Sequence, residues 1–360
     1  GHDFRPEYRK LNQLKLHFPN IPLIALTSTA IPQVQNDIIS QLNLVSSKIY
    51  RASINRENLF YRIVPKKKTY QLILQYLKDH PNDSGIIYCQ SRKSVDKMSE
   101  RLQKEGIRAL PYHAGLQSDV RVNNQMKFIK DDVEVIVATI AFGMGIDKPN
   151  VRFVIHYDLP KSIEGYYQET GRAGRDGIKS DCILFFSYGD KIVHEYFIKQ
   201  IENEQYRQTA YKKLRSVIDF STGKNCRRKY LFKYFGEESD KENCNMCDIC
   251  VPVEEMEIIS LPKEKSKLSK AKKTYEFEES EYDQYLFDIL RALRKKIADE
   301  EKMPPYIVFS DVALKEMATR HPQNLEEFLD ISGVGEFKLK KYGSIFTEKI
   351  VEYFEGDLSH

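Results

Sequence analysis

The first half of this sequence predicts an α/β fold built on a doubly wound parallel sheet. Three observations carry that expectation. Short β-branched runs recur between Ile21 and Phe186, most of them are apolar on both faces, and helical patterns separate them. Strands apolar on both faces suit a parallel sheet covered by helices on either side. Repetition of strand, helix and strand gives the doubly wound arrangement. In order, strands are expected at residues 23–26, 85–89, 133–138, 151–157 and 182–186. Between the second and third, residues 94–104 read as a helix with Val95, Met98 and Leu102 on one face and Gly106 as its stop. Cys89 and Cys182 fall inside strand runs and read as buried core residues.

The second half reads differently. A cysteine-bearing segment ends near residue 252. Lys263, Lys265, Lys267, Lys270, Lys272 and Lys273 then precede Glu276, Glu278, Glu279 and Glu281. Such charge blocks repel and stay extended, so residues 253–281 read as a flexible tether whose lysines could also touch nucleic acid. From Tyr282 the helical period returns, with Tyr285, Leu286, Ile289, Leu293 and Ile297 as an apolar stripe. Asp311 reads as the N-cap of a helix running through Met317, and Asn324 with Glu327 has capping-box character. Residues 282–356 therefore form a small all-helical domain.

Composition narrows the function classes. Of 360 residues, 41% are hydrophobic and 30% charged, as in a soluble globular protein. No apolar run approaches membrane-spanning length and residues 1–30 lack a signal peptide's apolar core, so no membrane partner and a reducing, intracellular setting are expected. The net charge of +4 is uneven: residues 282–360 carry 11 Lys/Arg against 15 Asp/Glu, which leaves the positive excess at the front of the chain. That excess suits a nucleic-acid or nucleotide partner without establishing one.

Two motifs carry chemistry. In Gln168-Glu169-Thr170-Gly171-Arg172-Ala173-Gly174-Arg175-Asp176-Gly177, two arginines three residues apart sit on a glycine-spaced turn. Guanidinium groups stay charged and offer a planar fork of donors to phosphate oxygens, which is what stabilises a transferring phosphoryl group. A solvated basic turn is the competing reading. Cys226, Cys244, Cys247 and Cys250 form C-x17-C-x2-C-x2-C, whose short spacers let thiolates converge on one ion. Four cysteines with no open position describe a structural zinc site, with disulfides or an iron–sulfur cluster as alternatives. Arg227, Arg228 and Lys229 would offset the thiolates' charge, or face a nucleic-acid backbone. Three further runs, LTSTA at 26–30, YCQSR at 88–92 and ATIAFGMGIDKP at 138–149, sit at expected strand ends, where open α/β sheets bind ligands. Singly, each also fits a strand-to-helix turn capped by Ser or Thr.

Taken together these residues resemble the RecQ family of superfamily 2 DNA helicases over nearly the whole chain. LTSTA is similar to helicase motif III, IIYCQSR to motif IV, ATIAFGMGIDKP to motif V and QETGRAGRDG to motif VI. GHDFRPEY at 1–8 resembles the end of the aromatic-rich loop that follows the DExH box. The four cysteines resemble the RecQ zinc subdomain. The last 75 or so residues, with PPYIVF at 304–309 and ISGVG at 331–335, resemble an HRDC domain. The resemblance implies the end of a first RecA-like lobe at 1–30, a second RecA-like lobe at 31–190, a zinc-binding subdomain at 191–252 and an HRDC-like domain at 282–356.

It also implies roles. Arg172 and Arg175 would be arginine fingers for ATP, with Gln168, Gly145 and Asp147 on the same cleft wall. Thr27 and Thr29 would couple nucleotide state to DNA grip. Ser91, Arg92 and Thr139 would meet the tracking strand's phosphates, and His2, Phe4 and Arg5 would belong to the loop that senses single-stranded DNA. Tyr306 would stack on a base in auxiliary DNA binding, against a protein-contact or structural role for its domain. Implied partners are single-stranded and junction DNA, ATP and single-strand-binding or repair proteins. The implied activity is 3′-to-5′ unwinding in repair and recombination, in the bacterial cytoplasm or a nucleus.

Two departures qualify this. The 360 residues contain no G-x-x-x-x-G-K-[ST] loop and no DExH box. The groups that hold phosphates and Mg2+ are therefore missing from them, and negligible ATPase is expected of this chain alone, as the C-terminal part of a longer helicase. Only 31 residues separate Cys250 from Tyr282, too few for the winged-helix domain that usually follows the zinc site. A zinc-stabilised DNA-binding or adaptor protein that lost the motor is the alternative reading.

Overall fold

Six parallel strands form one sheet: β1 (Leu59–Pro65), β2 (Ser84–Tyr88), β3 (Ala109–Tyr112), β4 (Val135–Ala138), β5 (Val151–His156) and β6 (Ser180–Phe186), in the order β1-β6-β5-β2-β4-β3. The computed structural model describes residues 10–27, 29–44, 46–143, 146–238, 243–251 and 282–357. In chain order the helices are α1 (Gln13–His17), α2 (Pro32–Gln41), α3 (Thr69–Asp79), α4 (Arg92–Lys104), α5 (Ser118–Ile129), α6 (Ile163–Thr170), α7 (Tyr188–Lys199), α8 (Glu204–Thr222) and α9 (Arg227–Phe235). After the tether, which lies outside the described residues, come α10 (Gln284–Glu300), α11 (Pro305–Val308), α12 (Asp311–Arg320), α13 (Leu325–Leu329), α14 (Glu336–Lys338) and α15 (Ser344–Asp357).

The central strands are as the sequence predicts. Every residue of β2 and β4 is buried, and Leu72, Ile73, Tyr76, Leu77, Val95, Met98 and Leu102 from α3 and α4 pack on one sheet face together with buried Cys89. Two strands were not expected. β1 and β3 are the edge strands; β1 carries Arg62 and β3 carries Pro111, so neither shows the unbroken apolar run of a central strand. Proline is tolerated where one strand edge lacks a partner, which is where Pro111 lies. The expected strand at 23–26 is not formed. Ile24 and Leu26 are 80% and 90% exposed, and no described strand lies in that part of the chain to complete a ladder with it.

The chain divides into two compact units. One comprises residues 1–57, 160–170 and 191–256. Its core joins α6 to α8: Tyr166 is fully buried, with its ring 5.3 Å from that of Phe220. The Tyr167 hydroxyl donates to the Ile54 carbonyl at 2.8 Å. The other unit holds the sheet and α10–α15. The helices α10–α15 enclose their own core of Leu286, Phe287, Leu290, Leu314, Met317, Phe328 and Phe346. The buried face of α10 is rotated from the expected stripe: Tyr285 is 69% exposed, whereas Phe287, Leu290 and the fully buried Arg294 point inward. Ser310, not Asp311, caps α12, because Asp311 is turned inward to pair with Arg294. Asn324 caps α13 as expected, accepting from the Glu327 amide. No helix among the described residues is long and apolar enough to cross a membrane.

Candidate functional site

The glycine-spaced turn is pinned from below. Gly174 adopts φ +55°, and its amide donates to the Val151 carbonyl at 2.8 Å. Asn58 Nδ2 donates to the carbonyls of Gly174 and Ile178, each at 2.8 Å. A Cβ at Gly174 would lie 2.8 Å from Ile178 O and Ser180 Oγ and would strike Asn58, so only glycine fits. Arg152 and Asp176 form a nearly buried ion pair beside the turn. On this base stand the two arginines. Arg172 is half-buried; its Nη1 donates to the Gly143 carbonyl at 2.5 Å, and its buried Nε has no hydrogen-bond partner among the described residues. Arg175 is more open, donating to Ile146 O at 2.9 Å and to Asp147 Oδ1 at 2.7 Å. The Asp147 side chain is 89% exposed. The structure thus brings Arg172, Arg175 and Asp147 together, while Gly145 lies outside the described residues.

Gln168 and Thr29 meet within the other unit. Gln168 Nε2 donates to Thr29 Oγ1 at 2.6 Å, and the Thr29 amide leans on Thr27 Oγ1 at 3.4 Å. The residues quoted from the third-motif and sixth-motif runs are therefore in direct contact. His2, Phe4 and Arg5 lie outside the described residues.

Ser91, Arg92 and Thr139 gather at the carboxyl ends of the paired strands β2 and β4. Ser91 is already engaged: it caps α4 by accepting from the Ser94 amide at 3.0 Å. Arg92 is exposed, and Thr139 Oγ1 accepts from Ala141 N at 3.5 Å. The arginine turn is elsewhere. Residues 139–150 lead from the carboxyl end of β4 back to the amino end of parallel β5, and carry Asp147 with them. Arg172, Arg175 and Asp147 consequently stand near the amino ends of β5 and β6. Of the three runs expected at strand ends, those at 88–92 and 138–149 do begin at the carboxyl ends of β2 and β4, whereas the run at 26–30 follows no strand among the described residues. Tyr306 is half-buried; burial, then the nearby carboxylates of Asp147 and Asp131, hold its hydroxyl pKa above the ordinary value.

The cysteines converge. The Sγ atoms of Cys226, Cys244, Cys247 and Cys250 all lie within 4.8 Å of one another, with Cys226 and Cys247 at 4.0 Å. Zn–S bonds of about 2.3 Å in a tetrahedron place sulfurs roughly 3.8 Å apart, so the donor set fits zinc with little adjustment. Cys226 is the N-cap of α9, Cys247 is fully buried, and backbone amides of Lys229 and Met246 approach the sulfurs of Cys226 and Cys244.

The neighbouring cations have separate duties. Arg227 forks onto Asp248, Nε to Oδ1 at 2.8 Å and Nη2 to Oδ2 at 3.0 Å, while its Nη1 donates to the carbonyls of Phe220 and Gly223. Arg228 binds Asn55 Oδ1 and the Glu57 carbonyl. Only Lys229 retains an uncommitted ammonium group among the described contacts. Asp248 and Asn58 were missed by sequence reasoning. An acid between the last two cysteines, facing an arginine that directly follows the first, was the available signal for Asp248. Nothing local marks Asn58.

Comparison with known proteins now bears on this geometry. Three family models match: the helicase conserved C-terminal domain over residues 68–177, the RecQ zinc-binding domain over 188–251 and the HRDC domain over 283–350. The ATP-dependent DNA helicase RecQ of Haemophilus influenzae is 35% identical, matching 98% of this chain and 73% of its own length. Its Bacillus subtilis counterpart is 34% identical over 98% of this chain and 74% of its own. The chain belongs to the RecQ helicase family.

A second kind of relative matches over a shorter span. The RecQ-like DNA helicase BLM of Xenopus laevis is 48% identical over 264 residues, 70% of this chain and 19% of that protein. The Haemophilus match spans 452 positions against a RecQ-family chain of 360 residues, so that relative carries a long insertion within the matched span.

Proposed function

We propose that these residues form the C-terminal portion of an ATP-dependent DNA helicase that moves 3′-to-5′ and serves DNA repair and recombination alongside the cell's DNA. The observation that carries the proposal is the pair of arginines fixed on a rigid turn, one of them held by a backbone carbonyl and an exposed carboxylate. Phosphoryl transfer needs cations placed in advance where negative charge develops. Arg172 is positioned by Gly143 and oriented before any ligand arrives. Arg175 is parked on Asp147, and an exposed ion pair of this kind is worth about 0–1 kcal/mol, so a phosphate can displace it.

When bound, ATP with Mg2+ would supply the free energy of unwinding. The chain's own residues bind and orient: Arg172 and Arg175 offer N–H donors, Asp147 holds Arg175 between turnovers, and the Gln168–Thr29 contact links the arginine-turn helix to the segment implied to couple nucleotide state to DNA. Ser91 fixes the start of α4, which presents Arg92 to a phosphate beside Thr139. The phosphate-loop lysine and the DExH carboxylates have no counterpart within the 360 residues, so hydrolysis requires another segment to supply them. Zinc held by the four cysteines serves structure.

The test uses the protein with its phosphate-loop and DExH segment in place. Arg172→Ala and Arg175→Ala are each expected to lower DNA-stimulated ATP hydrolysis about 10³-fold while nucleotide binding changes far less. DNA-stimulated hydrolysis by the 360 residues alone would overturn the requirement for the other segment.

A further inference from the structure

We propose that Asp158 is a positioning residue for the strand-phosphate contact: it fixes the direction in which Gln90-Ser91-Arg92 leaves the sheet, and Lys66 with Asp190 holds it in place. The inference rests on the reading of Arg92 as a phosphate contact and names the groups that aim it.

The contacts run along the carboxyl edge across four neighbouring strands, β1, β6, β5 and β2. Lys66 directly follows β1 and Ser187 directly follows β6, while Asp158 lies two residues beyond β5 and Gln90 two beyond β2. The Lys66 ammonium donates to Asp158 Oδ1 and to Asp190 Oδ1, each at 2.6 Å. Asp190 Oδ2 accepts from the Ser187 amide at 2.9 Å and from its hydroxyl at 3.0 Å. Asp158 Oδ2 accepts from the Gln90 amide at 2.8 Å. The three charged side chains are between 10% and 17% exposed.

Sheet pairing shows why the carboxylate is needed. The Cys89 amide still donates to the Ala138 carbonyl at 2.8 Å, and the Tyr157 amide to the Tyr88 carbonyl at 2.9 Å. At Gln90 the chain turns out of the ladder, and a half-buried backbone donor there requires another acceptor. Two carboxylates this close would repel, and Lys66 offsets them. Burial works against its ammonium group, yet Asp158 and then Asp190 hold its pKa above the ordinary value. Asp158 is thus pinned through one oxygen and grips the turn through the other, both by charge-assisted hydrogen bonds. The next residue, Ser91, caps α4, and Arg92 opens that helix, so a shift at Gln90 passes directly to the guanidinium.

The sign of the effect separates this role from that of a nearby charge. Asp158 and Asp190 bring two negative charges against one positive to the edge that carries Arg92. If charge alone mattered, deleting a carboxylate there would tighten strand binding. Positioning predicts the reverse.

The test is fluorescence anisotropy of a labelled oligothymidylate, about 20 nucleotides long, titrated over about 50–300 mM salt with the protein carrying its phosphate-loop and DExH segment. Thermal melting is followed for every variant. Arg92→Ala is expected to weaken binding about 3- to 10-fold and to lower the slope of log K against log salt by roughly 0.7. Asp158→Ala is expected to weaken it by a similar factor although a negative charge is lost. In the Arg92→Ala background the same change should cost less than about twofold, because both act on one contact. Asp158→Asn keeps an oxygen for the Gln90 amide and is expected to bind at least as tightly as the parent.

Unchanged or tighter binding by folded Asp158→Ala overturns the inference and spares the helicase reading. So does a loss that adds in full to that of Arg92→Ala, or an Asp158→Asn variant as weak as Asp158→Ala. Should Asp158→Ala fail to fold, Asp158→Glu decides: it keeps the charge and the lysine partner, moves the acceptor by one methylene, and must weaken binding about threefold. Parental affinity in that variant overturns the inference. An unchanged affinity and slope in Arg92→Ala overturns the phosphate reading of that arginine, and this inference with it.

Discussion

Replacing Asp248 by asparagine asks how the cysteine cluster is assembled. The Arg227 and Asp248 side chains are only 6% and 11% exposed and meet through two parallel hydrogen bonds. Arg227 follows Cys226 and Asp248 follows Cys247, so this pair fastens the helix start to the cysteine knuckle. Asparagine keeps the shape but removes the charge and turns one acceptor into a donor facing a donor. Breaking one side of a buried pair costs about 3–5 kcal/mol, because the surviving charge stays buried. Arg227 keeps the Phe220 and Gly223 carbonyls on Nη1, which favours the lower end of that range.

A separate route, through metal affinity, gives a smaller figure. Removing a partner that orients metal ligands lowers metal affinity by about 10- to 100-fold, equivalent to roughly 1.4–2.7 kcal/mol. We therefore expect Asp248→Asn to raise the zinc dissociation constant about 30- to 100-fold in competition with a chromophoric chelator. The urea midpoint of the zinc-loaded chain should fall with it. Arg227→Lys should behave similarly, since an ammonium cannot reproduce the fork. A zinc affinity within about twofold of the parent, with an unchanged midpoint, would refute the reasoning.

Two further perturbations probe other parts of the chain. Gly174→Ala forces a left-handed residue to carry a Cβ against Ile178 O and Ser180 Oγ, and the conformation alone costs about 1–2 kcal/mol; a lower melting temperature is expected, and an unchanged one would show that the turn relaxes freely. Asp311 is buried: burial alone would raise its pKa, but Arg294, with Arg291 and Arg152 nearby, brings it from 3.8 to about 2. A depressed carboxylate stabilises the fold above its unfolded pKa, and that contribution, roughly 2 kcal/mol, is lost as pH falls from about 4 to 2. Asp311→Asn should therefore destabilise the chain at neutral pH and flatten its acid unfolding between those values, as followed by circular dichroism; a parent and variant with parallel acid profiles would contradict the assignment.

What the sequence made legible follows from which forces act locally. The central strands were readable because burial on both faces leaves an unbroken apolar run, as at Ile136 and Val137. The edges were not, because β1 and β3 have one exposed side and tolerate Arg62 and Pro111. The cysteine cluster was readable because two-residue spacers constrain thiolates directly. Asp248 and Asn58 were not, since their partners are set by tertiary packing. The stripe on α10 was misplaced by about one residue because a paired arginine occupies the core: Arg294 is fully buried with its Nη1 on the Phe309 carbonyl and Asp311, and an apolar pattern cannot announce a buried charge.

The placement of the arginine turn follows from strand direction. In a parallel sheet every connection must return to the amino edge, so residues 139–150 leave Thr139 at one end of the strands and deliver Asp147 to the other. Thr139 therefore shares an edge with Ser91 and Arg92, while Asp147 reaches Arg175. A ligand phosphate drawn onto Arg175 competes with Asp147, and Asp147 lies on the same connection as Thr139. Displacing that exposed ion pair costs about 1 kcal/mol or less and releases the Asp147 side chain, while the Ile146 carbonyl still accepts from Arg175. Arg172 stays anchored to Gly143 on that connection throughout. On the function proposed above, one arginine would hold the segment in register while the other exchanges Asp147 for a phosphate, a covalent route between the two edges of the sheet that requires no rearrangement of the strands.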